Sequence, residues 1–163
     1  MGKIDLFTTG GTIDKIYKPL TGNLSFGTSN IPKILSTANL SENIDIQSLM
    51  KVDSLDMTAM QRKEIVAACI TSHSNKIIIT HGTDTMVETA TVIATKKLKK
   101  TIILTGAMIP YSLEDSDATF NIANALGFVK NLKKGVYIVM NGQCFPWDNV
   151  QKNKQLGIFE SIK

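Results

Sequence analysis

Ile77-Ile78-Ile79-Thr80-His81-Gly82-Thr83-Asp84-Thr85 is an apolar run that stops at a glycine-hinged, hydroxyl-rich turn. The same arrangement stands near the amino terminus, where the largely apolar Ile4 to Phe7 runs into Thr9-Gly10-Gly11-Thr12-Ile13. Short apolar runs bounded by turn residues read as buried strands. A parallel sheet binds ligands outside the carboxyl ends of its strands. Two such turns at two such ends can therefore face one pocket.

Reading outward gives alternating strands and helices. Ile4–Thr8 is expected as a strand, and residues 13–28, punctuated by Pro19, Gly22, Asn23 and Gly27, as a hairpin or flap. Asn30–Ser36 reads as a short helix with Pro32 in its first turn. Ile44–Met50 alternates apolar and polar residues, which suits a strand with one buried face. Thr58 can cap a helix from Ala59 to about Ser72, whose Met60, Ile65, Ala68 and Cys69 share a face. Strand Lys76–Thr80 precedes a helix from about Thr83 to Lys97. Strand Thr101–Leu104 precedes a helix opened by Ser116 or Asp117 and running to about Lys130. Val136–Met140 is a last apolar strand, and residues 141–163 read as an irregular polar tail. The alternation predicts an α/β fold: a parallel, doubly wound, flavodoxin/Rossmann-like sheet with helices on both faces. Loops 9–12, 53–57, 80–85, 105–108 and 141–148 then open on one edge.

At 163 residues, 43% hydrophobic and 20% charged, the chain suits one soluble domain spanning 1–163. The net charge of +4 is too small to mark a dedicated nucleic-acid binder. The dense run Lys96-Lys97-Leu98-Lys99-Lys100 reads as a solvated helix end. Cys69 and Cys144 have no metal-ligand spacing with His73 or His81. Cys69 is expected to pack as a small hydrophobe, and Cys144 to lie in a loop beside the site. Residues 1–13 lack a signal-peptide pattern, and no apolar run reaches the ~18 residues of a membrane span. The expectation is a cytoplasmic protein with reduced thiols and no membrane partner.

The chemistry lies in the turns. A threonine hydroxyl is a poor nucleophile that needs a base or a charge-rich setting. Gly10 and Gly11 let the backbone bend sharply at Thr12 and approach a ligand closely. Thr83, read as the start of a helix, would present free N–H groups to an anion or oxyanion. Asp84 can bind an ammonium or polarise a water. These features suggest acyl transfer or binding of a small anion, against the plainer reading of a turn and a capping pair.

Thr9-Gly10-Gly11-Thr12-Ile13, Ser54-x-Asp56-Met57 and His81-Gly82-Thr83-Asp84-Thr85-Met86-x-Glu88-Thr89-Ala90 together resemble the threonine-type L-asparaginase/glutaminase family. Gly106-Ala107-Met108-x-Pro110, Phe120-Asn121 and Val139-Met140-Asn141 fit the same pattern, so the resemblance covers essentially the whole chain. It implies hydrolysis of the side-chain amide of asparagine, and often glutamine, without metal or cofactor. Thr12 matches the nucleophile that forms the acyl-enzyme. Thr83 matches the second essential threonine, working with Asp84 and a lysine that falls at Lys152 in Val150-Gln151-Lys152. Ser54 matches the residue holding the substrate α-carboxylate and Asp84 the one holding its α-amino group, with Gly11 and Thr83 also lining the substrate site. The zwitterion's two ends call for donors at one and a carboxylate at the other.

The chain also departs from that pattern. Family enzymes are about twice as long, with a second, smaller domain that supplies an acid to a neighbouring subunit's site. This chain matches the amino-terminal domain only, and Glu114 or Asp115, in the loop after Pro110, is the candidate donor of that acid. The flap tyrosine is replaced by Leu24, with Tyr17 elsewhere in the same flap, and the glutamine after the substrate serine is Leu55. Two other functions follow from these losses: a catalytically weak module binding a small amino acid, and an amidotransferase component releasing ammonia for use elsewhere. A domain cut from a two-domain scaffold leaves an apolar face, so a homo-oligomer is expected.

Overall fold

Apolar, β-branched runs form the strands of the computed structural model, which describes residues 2–163. In chain order these are β1 (Ile4–Gly10), β2 (Lys15–Lys18), β3 (Asn23–Phe26), β4 (Ile44–Val52), β5 (Lys76–Thr80), β6 (Thr101–Thr105), β7 (Gly135–Met140), β8 (Gln143–Pro146), β9 (Gln151–Asn153) and β10 (Ile158–Glu160). The helices are α1 (Ile31–Thr37), α2 (Ala59–Thr71), α3 (Met86–Ala94) and α4 (Ala118–Asn131). The main sheet has the order β4-β1-β5-β6-β7-β8. Its first five strands are parallel, and β8 returns antiparallel to β7. Among the parallel strands this is the flavodoxin-like order, with its switch point between β1 and β5. The Thr12 and Thr83 turns follow those two strands. In folds of this order the switch point is where ligands bind.

Alternation along each strand feeds two cores. Ile77, Ile79, Ile102 and Leu104 pack with Ile65, Cys69, Met86 and Ile93 of α2 and α3. Ile78 and Ile103 pack on the other face with Ile31, Ile34, Ile122 and Leu126 of α1 and α4. The crossover through α3 and the crossover through α4 step the same way along the sheet, yet their helices lie on opposite faces. They must differ in hand. The connections through α1, α2 and α3 agree with one another, and such connections are nearly always right-handed. The β6–α4–β7 unit is thus the left-handed one. Among the described residues no helix is long and apolar enough to cross a membrane.

Several expectations need correction. Helix α3 begins at Met86 rather than Thr83, because side-chain bonds from elsewhere hold residues 83–85 in an open bend. It ends at Ala94, before the lysine run. Lys100 of that run donates to Cys69 O at 2.7 Å, so it caps the carboxyl end of α2 instead of its own helix. Met60 is 66% exposed and does not share the buried face of Ile65 and Cys69. The tail is not irregular: β8 joins the sheet and β9 pairs with β10, anchored by the buried Phe159. Cys144 lies in β8, packed against the α1/α4 core, rather than in a loop. Helix α2 has the expected cap as a full box, with Gln61 N donating to Thr58 Oγ1 at 3.3 Å and Thr58 N to Gln61 Oε1 at 2.9 Å.

Candidate active site

Three strand-end loops meet at glycines. Gly10 and Gly11 have φ of 99° and 78°. A Cβ on Gly11 would sit 2.5 Å from Gly82 N, and one on Gly82 would sit 2.6 Å from Ser54 Oγ. The turns after β1 and β5 therefore touch backbone to backbone, and the Ser54 side chain of the loop after β4 packs against Gly82, an approach that only residues without side chains allow. Thr12 opens a short 3-10 turn over 12–14. The turn is pinned by Asp14, whose carboxylate accepts from Asn30 N at 2.9 Å and Ser29 Oγ at 3.0 Å. Burial raises the Asp14 carboxyl above its ordinary range, partly offset by the Asn30 N–H. Ser54 is 1% exposed in its loop.

Lys152 reaches the second turn from far along the chain. Its Nζ donates to Thr83 Oγ1 at 2.8 Å and to Asp84 Oδ1 at 2.7 Å. Strand β9 carries it, and its cross-strand partner is Phe159, whose N–H donates to Asn141 Oδ1 at 3.1 Å. The lysine side chain is 14% exposed and the Asp84 side chain 33%, so the pair is partly desolvated. Because α3 starts after Thr83, this ammonium and not a helix end supplies positive charge beside the Thr83 hydroxyl. A hydroxyl that accepts from an ammonium is polarised to hold and orient a water.

The other site residues sit further out. Tyr17 and Leu24 are direct cross-strand partners in the β2–β3 hairpin, 52% and 45% exposed. Directly opposed residues share a face, so both side chains stand on the same side of the flap. An ion pair from Lys15 to Asp53 ties the foot of this hairpin to the Ser54 loop. Leu55 points outward at 68% exposure. Glu114 and Asp115 are exposed in the loop before α4. Among the described residues no group of three or more His, Cys, Asp or Glu could hold a metal. Arg62 escapes sequence reasoning, although it is the only arginine in the chain.

His81 is 0% exposed beneath the second turn. Burial pushes it down to about 4, and the nearby Arg62 charge adds to this. Its ordinary value is 6.5. The unfolded chain thus takes up a proton before the folded one does. Stability is intact above pH 6.5 and falls as pH drops through about 4. The loss is on the order of 3 kcal/mol from this residue. Urea unfolding at pH 7 and pH 4 should show that loss in wild type, and His81→Gln should remove that part of it. An identical pH slope in the variant would mean His81 is not held neutral.

Residues 3–163 match the family model described as Asparaginase, N-terminal. The chain belongs to the asparaginase family. It is 31% identical over 173 residues to the probable periplasmic L-asparaginase of Haemophilus influenzae, covering 95% of this chain and 47% of that protein. It is also 31% identical over 147 residues to a glutamyl-tRNA(Gln) amidotransferase component of Methanococcus vannielii, covering 86% of this chain and 34% of that protein. Among solved structures, the thermostable L-asparaginase from Thermococcus kodakarensis superposes with a TM-score of 0.88 at 26% identity. That match covers 98% of this chain and 51% of the other. The chain spans about half the length of the asparaginases it matches. Its fold is that of the asparaginase amino-terminal domain.

Proposed function

We propose that this asparaginase domain hydrolyses the side-chain amide of L-asparagine, with glutamine a further substrate, through a threonine acyl-enzyme. The observation that carries the reading is Lys152 Nζ, bonded to both Thr83 and Asp84 across 69 and 68 residues of sequence. No local structural need brings those three polar groups together. In the first step Thr12 Oγ attacks the amide carbon, its proton passes to the departing nitrogen, and the C–N bond breaks to release ammonia. In the second, water attacks the ester, the Thr12 oxygen leaves and is reprotonated, and aspartate forms. Thr83, polarised by the Lys152 ammonium, orients that water, whose proton passes to the departing Thr12 oxygen. Backbone N–H groups of the glycine turns suit the developing oxyanion. Ser54 and Asp84 take the two ends of the zwitterion. We place the chain as the Thr12-bearing amino-terminal domain, acting as a homo-oligomer in a reducing compartment that suits its two free thiols.

The test is ammonia release from asparagine and glutamine by the purified chain. Release from asparagine supports the reading, and none from either amide counts against a self-sufficient hydrolase. Lys152→Met is expected to lower the rate by roughly 10²- to 10⁴-fold, the usual range for losing a proton-transfer group. The fold should survive, because Asp84 is exposed enough to be solvated alone. Wild-type turnover in that variant would remove Lys152 from the mechanism. The similarity to an amidotransferase component favours a second reading, in which ammonia released here serves a partner polypeptide. Turnover that rises only when a co-purifying chain is present would favour it.

A further inference from the structure

Arg62 stands in the first turn of α2, where the helix dipole disfavours a cation. Local preference therefore does not explain it. Its side chain is only 12% exposed and turns toward α3. Nη1 donates to Met57 O at 2.8 Å, Nη2 to Thr85 Oγ1 at 2.9 Å, and Nε to Thr89 Oγ1 at 3.1 Å. Nη2 also meets the exposed Glu88 carboxylate at 3.2 Å.

A guanidinium only donates, a backbone carbonyl only accepts, and a threonine hydroxyl has one proton. Together these fix the direction of every bond that follows. Thr85 accepts from Arg62 and donates to Ser54 O at 2.8 Å. Gly82 O can only accept, so His81 donates to it from Nδ1 at 2.7 Å. The neutral ring then accepts at Nε2, and Thr89, which accepts from Arg62, donates to it at 2.8 Å. One guanidinium thus feeds two hydroxyl relays. One ends on the carbonyl of Ser54. The other ends on the carbonyl of the Gly82–Thr83 peptide. In a trans peptide the C=O and N–H point opposite ways. Holding Gly82 O against His81 turns the Thr83 N–H away from it.

We infer that Arg62 is a positioning residue that sets the Ser54 loop and the Thr83 turn through these two relays. The inference rests on the proposed reading of Ser54 as a substrate contact and Thr83 as part of the chemistry. The relays should then separate kinetically. Thr85→Val cuts the Ser54 arm and should raise KM for asparagine about tenfold with kcat little changed. Thr89→Val cuts the Thr83 arm and should lower kcat about tenfold, since small misplacements at a reacting centre are costly. Thr89→Ser, which keeps the hydroxyl, should restore it.

A second readout needs no turnover. ¹⁵N NMR of the purified chain should show one His81 tautomer, protonated at Nδ1, and a fixed Thr83 amide resonance. Thr89→Val should mix the tautomers and move that resonance, and Thr89→Ser should not. If wild type is inactive, the hydrolase reading fails and the NMR result alone judges the positioning role. If wild type is active and both valine variants keep its kcat and KM, the positioning role fails and the hydrolase reading stands. Should Thr89→Val not fold, Thr85→Val at the part-exposed position carries the test through its KM and through the Ser54 resonances.

Discussion

Thr12→Ala is expected to cut ammonia release from asparagine by roughly 10³-fold or more while leaving the chain folded and able to bind aspartate. On the proposed reading, alanine removes the Oγ that forms the acyl bond. It leaves the turn intact, because Gly10, Gly11, the fully buried Ile13 and the Asp14–Asn30 bond hold it without the Thr12 side chain. The groups read as substrate contacts, Ser54 and Asp84, are untouched. Ammonia release, thermal unfolding and aspartate binding should be measured on the same preparation. Loss of turnover with binding kept matches a nucleophile. Turnover near the wild-type rate would show that some other group attacks the amide, and loss of both binding and melting temperature would make Thr12 a structural residue.

Gly11→Ala is expected to be worse than any surface change, destabilising the chain by about 4 kcal/mol or more or preventing its folding. Two independent costs add. The backbone lies at φ 78° and ψ −178°, a region essentially closed to residues with a Cβ. The new methyl would also meet the Gly82 backbone N at 2.5 Å, which cannot rotate away. Gly22→Ala is the control. It has φ of 68° in a turn, with nothing within 4 Å of the added carbon. It carries only the conformational cost of roughly 1–2 kcal/mol. Urea midpoints for the two variants decide the matter. Equal destabilisation would mean that the turns after β1 and β5 are not in contact.

Much of this fold is legible in local pattern. The runs at Ile4, Ile77, Ile102 and Val136 are apolar on both faces, and buried parallel strands need that. Thr58 and Gln61 announce the start of α2 because a capping box is built from residues three apart. The start of α3 is misleading in sequence, because Thr83 and Asp84 look like a helix opening while the partners of this bend lie at Lys152, Ser54 and Arg62. The tail reads as irregular because β9 and β10 are three residues each, too short for a period to show. Met60 fits the helical spacing of the apolar face, yet no neighbouring element covers it.

The sequence by itself determined the α/β class, the run of strands and helices, and the glycine turns at two strand ends, since these depend on residues close together in the chain. The motif order also pointed to Thr12, Thr83, Asp84 and Lys152. Only the tertiary structure decided that α4 crosses to the face of α1, that Lys152 meets Thr83 and Asp84, and that Arg62 holds two loops at once. Hydrogen bonds between groups tens of residues apart leave no periodic trace in composition. They exist only once the sheet has brought its strand ends to one edge.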